Sequence, residues 1–575
     1  MKSLIWNHLP CNDEQAALLA AALEVHPVVA RLLCLRGMTD PESAARFLNP
    51  SLDHLHDPFT LTDLDRAVTR LEQALARRER IAIHGDYDVD GITSTVILRR
   101  TLEMLGGEVV HFIPERIRDG YGLQPAAIER LHAEGVGLIV SVDCGIRAAE
   151  AARRASDLGV DLIITDHHEP EGTLPPALAV INPKRHDCRY PDKHLAGVGV
   201  ALKLVQALCI RAGKERWLPA FVKIAAIGTL ADVVPLVGEN RIIARHGLAA
   251  LSRGPHTVGL RSLLEAAGLA GRTIDSYQVA FILAPRVNAA GRMSTPDIAT
   301  RLLLATDESM ADEARTLAQQ LNEENLRRQQ EEADLVAHAR KAIETDPAVG
   351  AHNVLVVGGT GWHRGVIGIA ASKLVDTYCR PAIVLSIDGD LAHGSCRSIP
   401  DFDMLAALER CADCFIRFGG HKQAAGLTME AARVPEFRAR INAYADEVLE
   451  PDQLRPRLRI DGPLSLRSIT HELMTGLDAL GPFGLANPRP VFHAKAVEIV
   501  DGPRTLKERH LKMTFSQEGR RFRAIAWRAA ERAGFLERHR ASVNLAFSLE
   551  KNEFQGETYL ELSVCDVKSV DGLDQ

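Results

Sequence analysis

Ile81-Ala82-Ile83-His84-Gly85-Asp86-Tyr87-Asp88-Val89-Asp90-Gly91 is the stretch from which the fold class follows. Three apolar residues of strand character run into a histidine and three carboxylates at alternate positions. Gly91 then opens Ile92-Thr93-Ser94-Thr95-Val96-Ile97-Leu98, a helix start. In an open α/β sheet ligands bind at the carboxyl ends of strands, and the helix N-terminus beyond favours anions. Carboxylates this close repel one another unless a cation sits among them. The stretch therefore reads as half of a metal site. A calcium loop of the Asp-x-Asp-x-Asp-Gly type is the competing reading, but it needs a glutamate at its twelfth position, where Ile97 stands, and a helix before it.

Outward from this turn, residues 81–166 alternate between strands and helices. Strands are expected at 81–84, 109–113, 138–142 and 161–165, with helices starting after Gly91, near Gln124 and after Gly145. Such alternation predicts a parallel sheet with helices on both faces. Residues 1–75 read as a helical cap leading into the sheet, and 76–305 as one domain that becomes mainly helical after residue 200. Residues 306–346, free of Gly and Pro, read as one long connecting helix. A smaller α/β domain follows over 347–452, with strands at 354–357 and 382–386 around a helix at 365–375. Pro451 and Pro456 mark the next boundary. Beyond it, short regular strands at 458–460, 491–499, 510–515, 521–527, 543–549 and 559–564 predict a small barrel over 453–575. The fold class expected is α/β multidomain.

The bulk composition is that of a globular chain: 575 residues, 46 % apolar and 25 % charged. It contains no apolar run long enough for a membrane helix, and its start lacks the features of a signal peptide. Ten cysteines in this length do not suggest a disulfide framework. A cytoplasmic protein with reduced thiols is expected, and Cys411-x-x-Cys414 reads as the buried face of a helix. The net charge of -7 neither requires nor excludes a nucleic-acid partner, because local basicity decides that.

Three further sites fall where the sheet pattern places ligands. Asp143 follows the apolar run 138–142, Asp166-His167-His168 follows 161–165, and Asp232 follows the apolar run 224–230. Two divalent cations about 3.5–4 Å apart can clamp a phosphate and activate a shared water, and such a pair needs several carboxylates, one of them bridging. Imidazoles among the ligands move the preference from Mg²⁺ towards Mn²⁺.

His84-x-x-x-Asp88-x-Asp90, Asp143, Asp166-His167-His168 and Asp232 resemble the four motifs of the DHH phosphoesterase superfamily, and the whole chain resembles its long members, the single-strand-specific exonucleases. The resemblance implies a DHH catalytic domain, a DHH-associated substrate domain and a C-terminal OB-fold. It implies two divalent ions, Mn²⁺ preferred or Mg²⁺. His84, Asp88 and Asp143 would hold one; Asp90, Asp143, His167 and Asp232 the other. His168 would stand beside the scissile phosphate, and Asp86 and Asp166 would support from behind.

Arg286-Val-Asn288-Ala-Ala-Gly291-Arg292 resembles the superfamily's arginine loop, gripping backbone phosphates through guanidinium forks. Gly419-Gly420-His421-Lys422 resembles the signature of the DHH-associated domain. By the same resemblance Ser395 and Arg397, with Arg116, would form a pocket for a terminal 5′ phosphate. Lys512, Arg521 and Arg523 are candidates for a strand-binding face of the barrel, and Trp527 for either its core or base stacking. With only 5 % aromatic residues, stacking is expected to be modest.

The function implied is a 5′-to-3′ exonuclease on single-stranded DNA, releasing 5′-mononucleotides in repair and recombination. It would act as a monomer off the membrane, beside a single-strand-binding protein and a helicase. The alternatives are a phosphoesterase of oligonucleotides or 3′-phosphoadenosine 5′-phosphate, whose members lack the barrel, and an inactive single-strand-binding scaffold, against which every metal position is filled. A manganese pyrophosphatase would leave Arg286–Arg292 and the barrel unexplained.

Overall fold

The computed structural model describes residues 4–116, 118–120, 122–554 and 557–570, which form two compact units. One comprises Leu55–Val234 and Ile243–Arg455; the other comprises Met1–His54, Pro235–Ile242 and Pro456–Gln575.

The first unit is built on a five-stranded parallel sheet in the order Glu108–Phe112, Arg80–His84, Leu138–Val142, Asp161–Thr165, Ala179–Ile181. Its inner strands are apolar runs because both faces are covered. Pro125–Ala133 and Ala149–Asp157 pack with Ala82, Ile139, Ile164 and Val180 on one face. Val89–Met104 and Gly197–Arg211 pack on the other, as the alternation predicts. Register aligns the strand ends: His84 pairs with Ser141, and Val142 with Thr165. Asp143 and Asp166 therefore leave the sheet at the same rim. Ala179–Ile181 was not expected.

Ala311–Thr345 is a single helix of 35 residues, about 52 Å long at 1.5 Å per residue. It leads to a second sheet in the order Phe415–His421, Ala424–Glu430, Leu391–Arg397, Ala382–Asp388, Leu355–Thr360. Only its last pair is parallel; the others are antiparallel. Helix Ile367–Tyr378 lies on it. The sequence pattern showed two of these five strands. The segments around Ser395 and Gly420, expected as pocket motifs, are strands with a hairpin between the last two.

The second unit is a closed five-stranded barrel of Phe492–Leu506, His510–Gln517, Arg520–Ala526, Val543–Phe554 and Glu557–Ser569. Its core, with Phe492, Phe515 and Phe547, is continuous with Leu19, Val29, Leu33 and Phe47 of the N-terminal helices. Ile5–His8 is a strand, pairing in parallel with Arg457–Ile460. The stretch 1–75, expected as one cap on the sheet, is thus shared: residues up to His54 join the barrel, while Leu64–Arg77 stays with the sheet.

Arg241 ties this second unit together. Its buried guanidinium donates to the carbonyls of Phe47 (2.8 Å), Leu480 (2.8 Å), Gly481 (2.9 Å) and Ala479 (3.1 Å), and lies 3.7 Å over the Phe47 ring. Arg241→Met removes every one of those donors from buried carbonyls. Each such loss costs on the order of 1 kcal/mol, so the unit's thermal midpoint should fall by several degrees; an unchanged midpoint would show that the carbonyls find other donors.

Candidate metal centre

The turn after Arg80–His84 is tight enough that two glycines are required. A Cβ on Gly85 would lie 2.3 Å from the Thr95 hydroxyl, and one on Gly91 2.5 Å from the Asp86 backbone. Asp88 caps the following helix by accepting from the Gly91 amide at 3.1 Å. This geometry aims Asp86, Asp88 and Asp90 towards the rim.

Asp90 is held by a second helix. Its carboxylate accepts from the amides of Gly197 (2.6 Å) and Val198 (2.7 Å), the first residues of Gly197–Arg211. Those donors favour the charged form, yet burial and the charges of Asp232 and Asp88 raise the Asp90 pKa well above the usual carboxylate range. Asp143 behaves alike, from burial and then the charges of Asp90 and Asp88. Its backbone is left-handed, at φ 60°, and a Cβ on Gly197 would lie 2.4 Å from Asp143 Oδ1. Val233, directly after Asp232, is also left-handed at φ 59°, an uncommon conformation for a β-branched residue. Strain of this kind concentrates at functional sites.

His167 Nε2 lies 3.2 Å from Asp143 Oδ1, 3.6 Å from Asp232 Oδ2 and 3.9 Å from Asp90 Oδ2. Burial lowers its pKa to about 3, so the ring is neutral and a lone pair is free to bind a cation. Ligand atoms of Asp90, His167 and Asp232 lie within 4.8 Å of one another, as do those of Asp86, Asp88 and Asp143, and those of Asp143, His167 and His168. Asp143 joins two of these sets, the position of a bridging ligand.

The structure differs from the expected ligand assignment in two places. Asp86, expected behind the ligands, lies in a set with Asp88 and Asp143, and His84 lies in none. His84 is fully buried beside Cys144, its Nδ1 3.7 Å from the sulfur, and burial lowers its pKa to about 4. Its Nε2 has no hydrogen-bond partner, nor do Asp86 Oδ1, Asp143 Oδ1 and His167 Nε2. Buried polar atoms are seldom left so. Oxygen-rich donors with two imidazoles and orphaned lone pairs suit Mg²⁺ or Mn²⁺.

Asp166 has no capacity left for a metal. Its oxygens accept from the amides of His167 (2.7 Å), His168 (3.1 Å) and Ile146 (2.9 Å) and meet His168 Nδ1 at 2.7 Å. Burial opposes its charge, but the His168 hydrogen bond prevails and brings the pKa down to about 2. In return, although burial works against it, Asp166 raises the His168 pKa. His168 is thereby fixed in orientation and made more basic.

The site carries its own pH signature. Burial, and then the Asp88 charge, push the pKa of Asp86 and of Asp232 up to about 8. A carboxyl raised this way stabilises the metal-free fold fully only below its unfolded pKa, and that contribution is lost as pH rises through the folded value. Bound cations keep these groups ionised and cancel the loss. The rise in thermal midpoint on adding Mn²⁺ should be larger at about pH 8.5 than at about pH 6.5, each proton contributing up to about 1.4 kcal/mol per pH unit. An increment that shrinks with pH would contradict this electrostatic account.

Next to the turn lies a cavity of about 600 Å³ lined by Tyr87, Arg116, Ser395 and Phe418 among others. The Arg116 guanidinium sits 4.0 Å over the Tyr87 ring, which links the cavity to the metal turn. Arg397 Nη1 reaches Ser395 Oγ at 3.2 Å, and a Cβ on Gly368 would crowd both side chains. Gly419 and Gly426 line the cavity, while Gly420, His421 and Lys422 form the hairpin at its end.

The arginine segment is not a loop. Arg286, Asn288 and Arg292 lie on helix Ala284–Met293, preceded by the π-turn Val279–Leu283. Gly291 serves close approach: its Cβ would lie 2.4 Å from the Tyr87 carbonyl. Asn288 Oδ1 accepts from the Val89 amide at 3.1 Å, Arg286 Nε donates to Asn322 at 3.1 Å, and Arg292 Nη1 donates to the Gly365 carbonyl at 3.1 Å. On the barrel, Lys512, Arg521 and Arg523 are exposed and share one face through the pairings Lys512–Ile525, Thr514–Arg523 and Ser516–Arg521. Trp527 is 55 % exposed, edge-on to His510 at 4.9 Å, and so outside the core. The sequence reading missed the Gly197 and Val198 amides, although Gly-Val-Gly-Val at a helix start was a visible signal.

Comparison with known proteins gives three matches along the chain: the DHH family, N-terminal domain, over residues 80–229; the DHHA1 domain over 351–447; and the RecJ OB domain over 460–566. The single-stranded-DNA-specific exonuclease RecJ of Bacillus subtilis (strain 168) is 38 % identical over 565 residues, covering 98 % of this chain and 70 % of the relative. That of Escherichia coli (strain K12) is 34 % identical over 580 residues, covering 96 % and 97 %. Among solved structures, RecJ from Thermus thermophilus in complex with Mn²⁺ superposes with a TM-score of 0.83 at 34 % identity, covering 98 % of this chain and 79 % of that one. The Mg²⁺ complex gives 0.77 at 32 %, covering 98 % and 78 %.

Proposed function

The chain belongs to the RecJ family of single-stranded-DNA-specific exonucleases, and on that premise we propose that it removes 5′-mononucleotides from the 5′ end of single-stranded DNA at the centre formed by Asp86, Asp88, Asp90, Asp143, His167 and Asp232. The activity is that of a metal-dependent hydrolase. The observation that carries our reading of the site is the pair of ligand sets joined at Asp143.

Two divalent cations held there would polarise the scissile phosphate and lower the pKa of the attacking water. The rest is done by the chain itself. The Gly197 and Val198 amides fix Asp90. Asp166 holds His168 by Nδ1, leaving Nε2 to carry a proton to the departing 3′ oxygen. His84 completes the metal site from the buried side. Arg116, Ser395 and Arg397 seat the terminal phosphate, which sets the direction of digestion. Arg286, Asn288 and Arg292 brace the metal turn and meet the backbone, and the face of Lys512, Arg521 and Arg523 holds the strand further along.

A monomer working in the cytoplasm beside a helicase and a single-strand-binding protein fits this reading, since its substrate must be supplied unpaired. Among the described residues no single helix is long and apolar enough to cross a membrane. The barrel disfavours a dinucleotide or 3′-phosphoadenosine 5′-phosphate substrate.

The test is to incubate end-labelled single and double strands with Mn²⁺ and size the products over time. Mononucleotides from single strands alone are expected; duplex digestion at the same rate, or none of either, would end the reading. In the same assay Arg397→Gln should reduce the preference for 5′-phosphate over 5′-hydroxyl ends by about tenfold or more, the worth of a charge-assisted hydrogen bond. An unchanged ratio would place the phosphate pocket elsewhere.

A further inference from the structure

The cavity beside the metal turn holds more cationic groups than one phosphate needs. Arg417, Thr428 and His393 stand directly opposite one another on three neighbouring antiparallel strands, so their side chains share a face of the sheet. The Thr428 hydroxyl lies 3.2 Å from His393 Nδ1 and accepts from Arg417 Nε at 3.4 Å. His393, Ser395 and Arg397 alternate along one strand and therefore point to that same face. Arg364 lines the cavity at the start of helix Ile367–Tyr378, whose N-terminus adds the favourable end of its dipole. Among the described residues no carboxylate pairs with Arg364 or Arg417; Asp388 is the acid nearest His393.

The order along this face is informative. Tyr87 belongs to the metal turn, Arg116 covers it, and the Arg116 charge reaches Arg397. His393 then lies two residues beyond Ser395, about 7 Å further from Arg397 along the strand. A cavity of about 600 Å³ is also sized for a whole ligand rather than a lone phosphate. Uncompensated cations crowd Thr428 as carboxylates crowd Asp143, and they call for the opposite charge.

We propose that Arg364, His393 and Arg417 form a second anion subsite, beyond the terminal-phosphate subsite, that takes the outer phosphates of a strand whose 5′ end carries a di- or triphosphate. It rests on the reading that Arg116, Ser395 and Arg397 hold the first phosphate. An ordinary strand begins at that phosphate, so only further phosphoryl groups reach past it. Water attacks the first internucleotide phosphorus and the bond to the 3′ oxygen breaks. The products are a nucleoside 5′-triphosphate with a free 3′-hydroxyl and a strand with a new 5′-monophosphate.

The experiment uses the full chain with Mn²⁺ on matched single strands bearing 5′-hydroxyl, 5′-monophosphate or 5′-triphosphate, with the first product identified. The triphosphate strand should show a KM about tenfold below that of the monophosphate strand and release a nucleoside triphosphate first. Arg417→Gln and Arg364→Gln should each lower the triphosphate-to-monophosphate ratio of kcat/KM about tenfold, with Arg417→Lys recovering part of it. A triphosphate strand cut no better than a monophosphate strand, with a ratio indifferent to both variants, overturns the subsite. A dinucleotide as first product overturns it too, since these groups would then seat an ordinary 5′ phosphate. Inorganic tripolyphosphate that inhibits at fixed free Mn²⁺ and loses potency in Arg417→Gln, with no gain for the triphosphate strand, overturns the strand as source in favour of the free anion. Failure of the underlying reading is visible separately, as equal rates for hydroxyl and monophosphate ends.

Discussion

Asp143→Asn should abolish exonuclease activity, by about a thousandfold or more, while making the metal-free protein more stable. Both effects come from the same position. Asp143 lies in two ligand sets, so its neutral amide removes the bridging charge from both. The backbone permits the change, because Asn tolerates the left-handed φ of 60° better than most residues. Stability rises because burial and the neighbouring Asp90 and Asp88 charges oppose the carboxylate in the folded chain, and an amide escapes that cost. Thermal midpoints with and without Mn²⁺ check the second half: the variant should melt higher than the parent without metal and gain less on adding it. A variant that turns over normally removes the bridge; one that melts lower without metal removes the electrostatic argument.

That opposition between stability and function explains why so much of the site was legible. Buried parallel strands must be apolar on both faces, so Arg80–His84, Leu138–Val142 and Asp161–Thr165 stand out as runs, and an acid at the end of such a run has no structural reason to be there. Register then brings the acids together. Where function shapes a surface instead, the same logic hides the fold. Leu391–Arg397, Phe415–His421 and Ala424–Glu430 carry Gly, His, Ser and Arg because one face of their sheet walls a cavity, and that erases the alternation of a strand. Ala179–Ile181 is too short to show any period. Gly291 suggested a loop, yet it is there so that a helix can approach Tyr87. The sharing of residues 1–75 between two units depends on partners hundreds of residues away, which local pattern does not carry. Asp86 and His84 illustrate the same limit at side-chain scale: their spacing places both near the rim, and only coordinates show which carboxylate joins Asp88 and Asp143.

Gly197→Ala should be nearly as damaging as losing a ligand, although it adds one methyl group to a residue that binds nothing through its side chain. Gly197 has no left-handed backbone to lose, and alanine is the better helix former by about 1 kcal/mol, so helix Gly197–Arg211 should form at least as readily. The added carbon would sit 2.4 Å from Asp143 Oδ1 and 2.7 Å from its Cβ and Cγ, and it meets the rigid base of a buried side chain rather than a flexible tip. Either Asp143 moves, or the helix end retreats and takes the Gly197 and Val198 amides away from Asp90. A displacement of about 1 Å at a catalytic constellation costs about a hundredfold in rate, so activity should fall by that much or more, with weaker Mn²⁺ affinity and an intact fold by circular dichroism. Gly199→Ala supplies the comparison one helical step away: its Cβ would meet only the end of the Leu195 side chain, at 3.0 Å, which can turn aside. If the two variants lose activity equally, the helix as a whole is what tolerates no change, and the close approach of Gly197 to Asp143 is not what shapes the metal centre.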